Sequence, residues 1–272
     1  MDKIEEHPEE RDILEPRTNS DRLIAKVCIL AGKIMMENGA ETYRVEDTMK
    51  RIADSFGLPR SQCFVTPTGI MFSIEGIVPD TRLVGISERS TDLRKVAEVN
   101  AISRRIGAGE LAPEQALELL ARVEASREGI APWLRTVSAA LASGCFLIMF
   151  GGQWADFLPA IVAGGLGYAT VFRAQRFFSL KLFAEVMAAI VVGLLACLFV
   201  ATGIGRELNT LIIGSVMPLV PGVLITNAVR DLMAGHYVSG LSKGAEACLT
   251  ALAIGTGIAV VLSFYGGEGV IP

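Results

Sequence analysis

From Asp21 onward, apolar residues recur every three or four positions: Leu23, Val27, Leu30, Ile34 and Met35 share one face of a helix. Asn38-Gly39 ends it, because glycine accepts the left-handed conformation that closes helices. A second helical pattern runs from about Glu41 to Phe56, with Val45, Met49, Ile52 and Phe56 inward, and stops at Gly57-Leu58-Pro59. The period then changes. Gln62 to Thr66, Gly69 to Glu75 and Thr81 to Ile86 read as three β-strands, separated by Pro67-Thr68 and by Val78-Pro79-Asp80. Helical patterns return at Asp92 to Ile106 and at Pro113 to Arg127, the second with proline in its first turn. The expected product is an α+β domain, with helices packed on one face of a short antiparallel sheet.

Beyond Ala131 the apolar runs lengthen until they match the roughly 20 helical residues that cross a bilayer. Five spans are predicted, at about 133–150, 157–172, 182–202, 208–229 and 245–265. The second contains Gly164, Gly165 and Gly167, small residues of the kind that let membrane helices approach closely. The expected organisation is therefore an acidic tail over residues 1–19, an α+β cytoplasmic domain over 20–131, and an all-α multi-span membrane domain over 132–272.

Charge follows the same division. Residues 1–131 hold 18 of the 25 Lys and Arg and 23 of the 29 Asp and Glu, which leaves 13 charges for the last 141 residues. That sparseness, with 51% hydrophobic residues and a mean hydropathy of +0.46, excludes a disordered or fibrous chain. No strongly basic face suggests nucleic acid. Five cysteines with no CxxC pair make disulfides and a metal site poor expectations, and no cofactor motif is present. Seven acids and three bases in the first 20 residues describe a solvated tail rather than a signal peptide. Among the spans, Arg135, Arg173, Arg176, Lys181, Arg230 and Lys243 fall on one side and only Arg206 on the other. The bias of Lys and Arg toward the cytoplasm then puts the N-terminus inside and the C-terminus outside.

The densest unusual chemistry lies in and after the fourth span. Pro218, Pro221 and Gly222 remove or loosen backbone hydrogen bonds, and Thr226, Asn227, Arg230 and Asp231 follow within about two and a half turns. This pattern reads either as a broken helix that lines a substrate path or as a structural kink with Asn227 bonded to a neighbour. Arg230 and Asp231 suit an ion pair as well as substrate contact. Glu185 and Glu246, near the starts of spans, are candidates for proton coupling.

The segment Asn38-Gly39-Ala40-Glu41-Thr42-Tyr43-Arg44-Val45-Glu46, then Thr66-Pro67-Thr68-Gly69, then Leu219-Val220-Pro221-Gly222 with Asp231-Leu232 and Ser239-Gly240, resembles the threonine/serine exporter (ThrE) family over residues 20 to 266. The resemblance implies efflux of a small polar metabolite, threonine or serine or a succinate-type dicarboxylate, across the bacterial inner membrane. It also marks Asn38, Gly39, Glu41, Thr42, Arg44, Glu46, Thr66 and Thr68 as the motif of the first domain. In length the chain resembles the short, split form of the family, whose second half is a separate small membrane subunit of the YjjB type. The expected partners are thus the lipid bilayer, that subunit and a small-molecule substrate. No Gly-x-x-x-x-Gly-Lys-Ser/Thr stretch supplies an ATP motor, so a gradient would drive transport. The rival readings make the first domain a metabolite sensor, binding through Thr66, Thr68 and Ser73, or a membrane-tethered hydrolase. Catalysis is disfavoured because no histidine lies between Asp21 and Ala131.

Overall fold

The computed structural model describes residues 19–74, 80–87, 89–126, 130–177 and 181–266. The expected acidic tail falls almost wholly outside them, as do Glu75 and the Val78-Pro79 turn. The chain forms two compact units: residues 1–128 with 223–244, and residues 129–222 with 245–272.

In the first unit, α1 (Asn19–Glu37) and α2 (Thr42–Ser55) precede a three-stranded antiparallel meander, β1 (Ser61–Thr66), β2 (Gly69–Ile74) and β3 (Asp80–Gly85), followed by α3 (Leu93–Gly107) and α4 (Pro113–Ala125). Strand alternation sets the faces. Val65, Ile70, Phe72 and Ile74 are buried, whereas Phe64, Met71 and Leu83, paired across the three strands, are exposed. Helix α1 buries Ile24, Val27, Cys28, Ala31, Ile34 and Met35, a face rotated slightly from the expected one, so that Leu23 and Leu30 are only half-buried. Val45, Met49 and Ile52 of α2 meet it, and Gly32 makes room: a Cβ there would lie 2.4 Å from the Met49 sulfur. Asp92 caps α3, its carboxylate accepting from the Arg94 N–H at 3.2 Å.

This unit also contains α9 (Gly222–Met233), apart from its first residue, and the opening turns of α10 (Tyr237–Gly266). The two helices join through Ala234-Gly235-His236, with Gly235 at φ +87°, a conformation other residues rarely adopt. They cross closely, since a Cβ at Gly240 would lie 2.6 Å from the Leu232 side chain and 3.0 Å from the Ala228 carbonyl.

The second unit is helical: α5 (Pro132–Met149), α6 (Phe157–Phe177), α7 (Lys181–Ala201), α8 (Leu208–Val216) and the remainder of α10. Leu147, Ala160, Ala196, Leu211 and Ile212 form its centre. Gly164 lets α6 close onto α5 and α8, because a Cβ there would fall 1.9 Å from the Ser143 hydroxyl and 3.1 Å from the Ser215 carbonyl. Among the described residues four helices are long and apolar enough to cross a membrane, and a fifth candidate is the bent pair Leu208–Leu219 and Gly222–Met233. The expected fourth span is thus broken, at Val220-Pro221, where Pro221 lacks the N–H that would continue the ladder. The fifth starts earlier than expected, at Tyr237, which places Lys243 inside a helix rather than in a loop.

Candidate functional site

The loop after α1 and the start of α2 carry Asn38 to Glu46, and α9 with the start of α10 carries Asn227 to Lys243; the first unit folds these stretches together. At the N-terminus of α2 the capping position, Glu41, makes no side-chain cap. Asp231 of α9 supplies the missing acceptor. Its carboxylate takes the Thr42 N–H at 2.9 Å, the Thr42 hydroxyl at 2.9 Å and the Lys243 ammonium at 2.7 Å. An anion at this place is favoured by the unpaired N–H groups and the positive end of the α2 dipole. Lys243 completes the group by donating also to the Thr42 hydroxyl at 3.2 Å and the Ala40 carbonyl at 3.3 Å.

Asp231, Lys243 and Thr42 are all buried, Asp231 completely. Removing two charges from water costs several kcal/mol per ion, and only close pairing with full hydrogen bonding offsets it. Here the ammonium uses all three of its donors and the carboxylate accepts three bonds.

Around this core the same two stretches meet repeatedly. The Asn227 amide donates to the Gly39 carbonyl at 2.8 Å, and Arg230 pairs with Glu41 at 2.5 Å while Arg44 reaches the other Glu41 oxygen at 3.3 Å. Glu46 accepts from the Val65 N–H at 2.9 Å with His236 3.8 Å away, and the Ser239 hydroxyl donates to the Val65 carbonyl at 3.3 Å. Burial raises the Glu41 carboxyl, but a backbone hydrogen bond, the Arg230 bond and the charges of Arg44 and Arg230 outweigh it, leaving a net downward shift. Glu46 moves upward, chiefly through burial and with a contribution from Asp231, although Val65 and His236 oppose it.

Asn38 anchors the loop rather than the helix corner: its amide donates to the Ile34 carbonyl at 2.7 Å and its side-chain oxygen accepts from the Ser90 hydroxyl at 3.2 Å. Gly39 sits at φ +89°, which turns its carbonyl toward Asn227. Thr66 closes the β1–β2 turn, its hydroxyl donating to the Gly69 carbonyl at 3.0 Å and accepting the Gly69 N–H at 3.1 Å. Thr68 lies beside it, with hydroxyls 3.4 Å apart. Pro218 occupies the short turn Met217–Leu219, Pro221 the break before α9, Gly222 the first residue of that helix and Thr226 an exposed position on it. Glu185 on α7 is buried and Glu246 on α10 is half-buried, both in the other unit. Among the described residues no group of three or more His, Cys, Asp or Glu is placed to hold a metal ion.

Sequence reasoning did not find Lys243, His236 and Ser239 as members of this group. The available signal was the run Ser239-Gly240-Leu241-Ser242-Lys243-Gly244-Ala245, which leads into the apolar segment without a turn and so puts the lysine on a helix.

Four apolar helices, a broken fifth segment and an α/β unit that grips a helix corner through buried charges define a multi-helix membrane protein. Residues 26–265 match the family described as "Putative threonine/serine exporter", ThrE, and the chain belongs to that family. It is similar to the probable succinate transporter subunit YjjP of Escherichia coli, 25% identical over 93% of this chain and 99% of that protein. It is also similar to a probable threonine/serine exporter of Mycobacterium tuberculosis, 23% identical over 92% of this chain and 47% of that protein. A third relative is an uncharacterized protein of Schizosaccharomyces pombe, 25% identical over 85% of this chain and 29% of that protein. The chain therefore spans less than half the length of the Mycobacterium tuberculosis and Schizosaccharomyces pombe relatives and nearly all of the Escherichia coli protein. No solved structure matches it.

Proposed function

We propose that this chain is one subunit of an exporter of small polar metabolites, a succinate-type dicarboxylate or threonine and serine, in the bacterial inner membrane. The N-terminus is cytoplasmic and the C-terminus outside, and a second small membrane subunit of the YjjB type completes the path. In this reading, the Asp231–Thr42–Lys243 group is the joint through which the cytoplasmic domain holds the corner between α9 and α10. The broken segment from Pro218 to Gly222 lines the substrate path, and Glu185 and Glu246 serve coupling. The observation that carries the reading is the buried Asp231 carboxylate, which ties the family motif at Thr42 to the helix that follows the break. Family membership and the name of the Escherichia coli relative support a transporter subunit. A second subunit would supply helices against the broken segment, since freed backbone carbonyls cannot face lipid cheaply.

The test is export of labelled succinate, threonine and serine from cells lacking this chain, the second subunit or both, complemented with the parent or with Asp231→Ala. Loss of export of one solute in either single deletion, not restored by Asp231→Ala at normal membrane abundance, is the expected outcome. Export at the parental rate in the deletions overturns the reading.

A further inference from the structure

A second feature of the first unit lies away from the polar joint. Between α1, β3 and α4 is a cleft of about 550 Å³, within the range of small-molecule sites. Ile29, Leu30 and Leu117 give it an apolar lining, and Lys26, Lys33 and Arg82 are its charged residues, with no acid lining it among the described residues. The three cations differ in what already holds them. Lys33 is paired with Glu124 at 2.8 Å and lies 3.9 Å from Glu37, and the Arg82 guanidinium donates to the Arg22 carbonyl at 3.5 Å. Lys26 is exposed and, among the described residues, has no hydrogen bond or ion pair. Lys26, with Lys33 and Arg82 beside it, thus gives the cleft a positive side next to its apolar wall.

We infer that this cleft is a binding site for an organic anion with an apolar body, its anionic group on Lys26 and its hydrocarbon against Ile29, Leu30 and Leu117. The ligand class differs from the proposed export substrates. A dicarboxylate or a hydroxy amino acid has too little apolar surface to use that wall, so the cleft serves a second ligand that acts on the cytoplasmic domain. The inference does not depend on the chain being an exporter.

The probes are phenylacetate and isocaproate, with phenethylammonium as the size-matched cation and acetate as the anion without a body. Binding is measured calorimetrically on the full chain in zwitterionic nanodiscs. Saturable binding of phenylacetate or isocaproate is expected, with acetate and phenethylammonium about ten-fold weaker or absent. Lys26→Glu should weaken the anion about ten-fold, through loss of attraction and added repulsion, whereas Lys26→Arg, and Lys50→Glu on α2 outside the lining, should leave it within two-fold. Each of these positions is exposed or half-exposed, so the variants keep the fold. The inference is overturned if neither anion saturates, if phenethylammonium binds as well, or if Lys26→Glu changes nothing. A signal confined to discs containing anionic lipid would assign the cleft to a headgroup and overturn it as well.

Discussion

Asp231 stabilises its surroundings only because Lys243 and Thr42 are present, and this asymmetry is testable. Asp231→Asn keeps the shape but leaves the Lys243 ammonium buried beside a neutral amide, which costs on the order of 3–5 kcal/mol. The double variant Asp231→Asn, Lys243→Met removes the stranded charge and should recover much of that loss. Thermal unfolding of the purified chain in one detergent measures both, and equal melting temperatures for parent and Asp231→Asn would refute the account. Glu41 adds a pH dependence. Its carboxyl is shifted below its ordinary value in the folded protein, so its contribution is present above the ordinary carboxylate pKa and is lost as pH falls through the folded-state value. Acidification through that window should lower the melting temperature of the parent more than that of Glu41→Gln.

At the level of elements, the second unit depends on close helix approach. Gly164→Ala inserts a methyl group into the position of the Ser143 hydroxyl, and overpacking of this kind costs about 1–3 kcal/mol despite the better helix propensity of alanine. Gly255 on α10 has open space around the same point, so Gly255→Ala should be neutral or slightly stabilising. Comparison of the two by thermal unfolding separates packing from propensity, and equal effects would show that the α5–α6–α8 contact is loose. Asp156 holds the approach to α8: it is fully buried and accepts the N–H groups of Arg206 and Glu207, the two residues before that helix, at 2.7 and 3.3 Å. In both cases a carboxylate distant in sequence fixes the chain at a helix start, an arrangement that no local capping pattern discloses.

For the whole molecule the question is how the broken segment is threaded. The nine residues of α8 and the three-residue turn after it extend about 18 Å, short of a hydrocarbon core of roughly 30 Å. In the proposal the whole bent pair, α9 included, makes the fourth crossing, and Gly235 between α9 and α10 returns to the cytoplasmic side. Reporter fusions at Gln153, Glu207 and the C-terminus should read outside, and those at Gln175 and Gly235 inside. A cytoplasmic C-terminus would refute five crossings.

Much of this protein is written in local pattern. The 3.6-residue period over α1 to α4, the alternation through β1 to β3 and the apolar runs after Ala131 each depend on a few neighbouring side chains, and the elements up to α7 lie within a few residues of where the pattern puts them, whereas the fourth expected span is two helices and the fifth starts eight residues early. The break at Val220-Pro221 is equally local, because a missing N–H acts on its own helix. The family motif around Asn38 to Glu46 and the polar cluster around Asn227 to Asp231 are each visible in the sequence, but their meeting is not. Thr42 and Asp231 are 189 positions apart, and nothing in the spacing of either segment says that one caps the other. Lys243 shows the reason most clearly: as a residue type it reads as a surface cation beside a span, and only the meeting of α10 with α9 and with the start of α2 gives it three acceptors and removes it from water. Sequence determines which segments become helices and strands because those choices are made by backbone and neighbours; tertiary structure alone decides which charges are buried together, because a charge can leave water only where distant residues supply its partners.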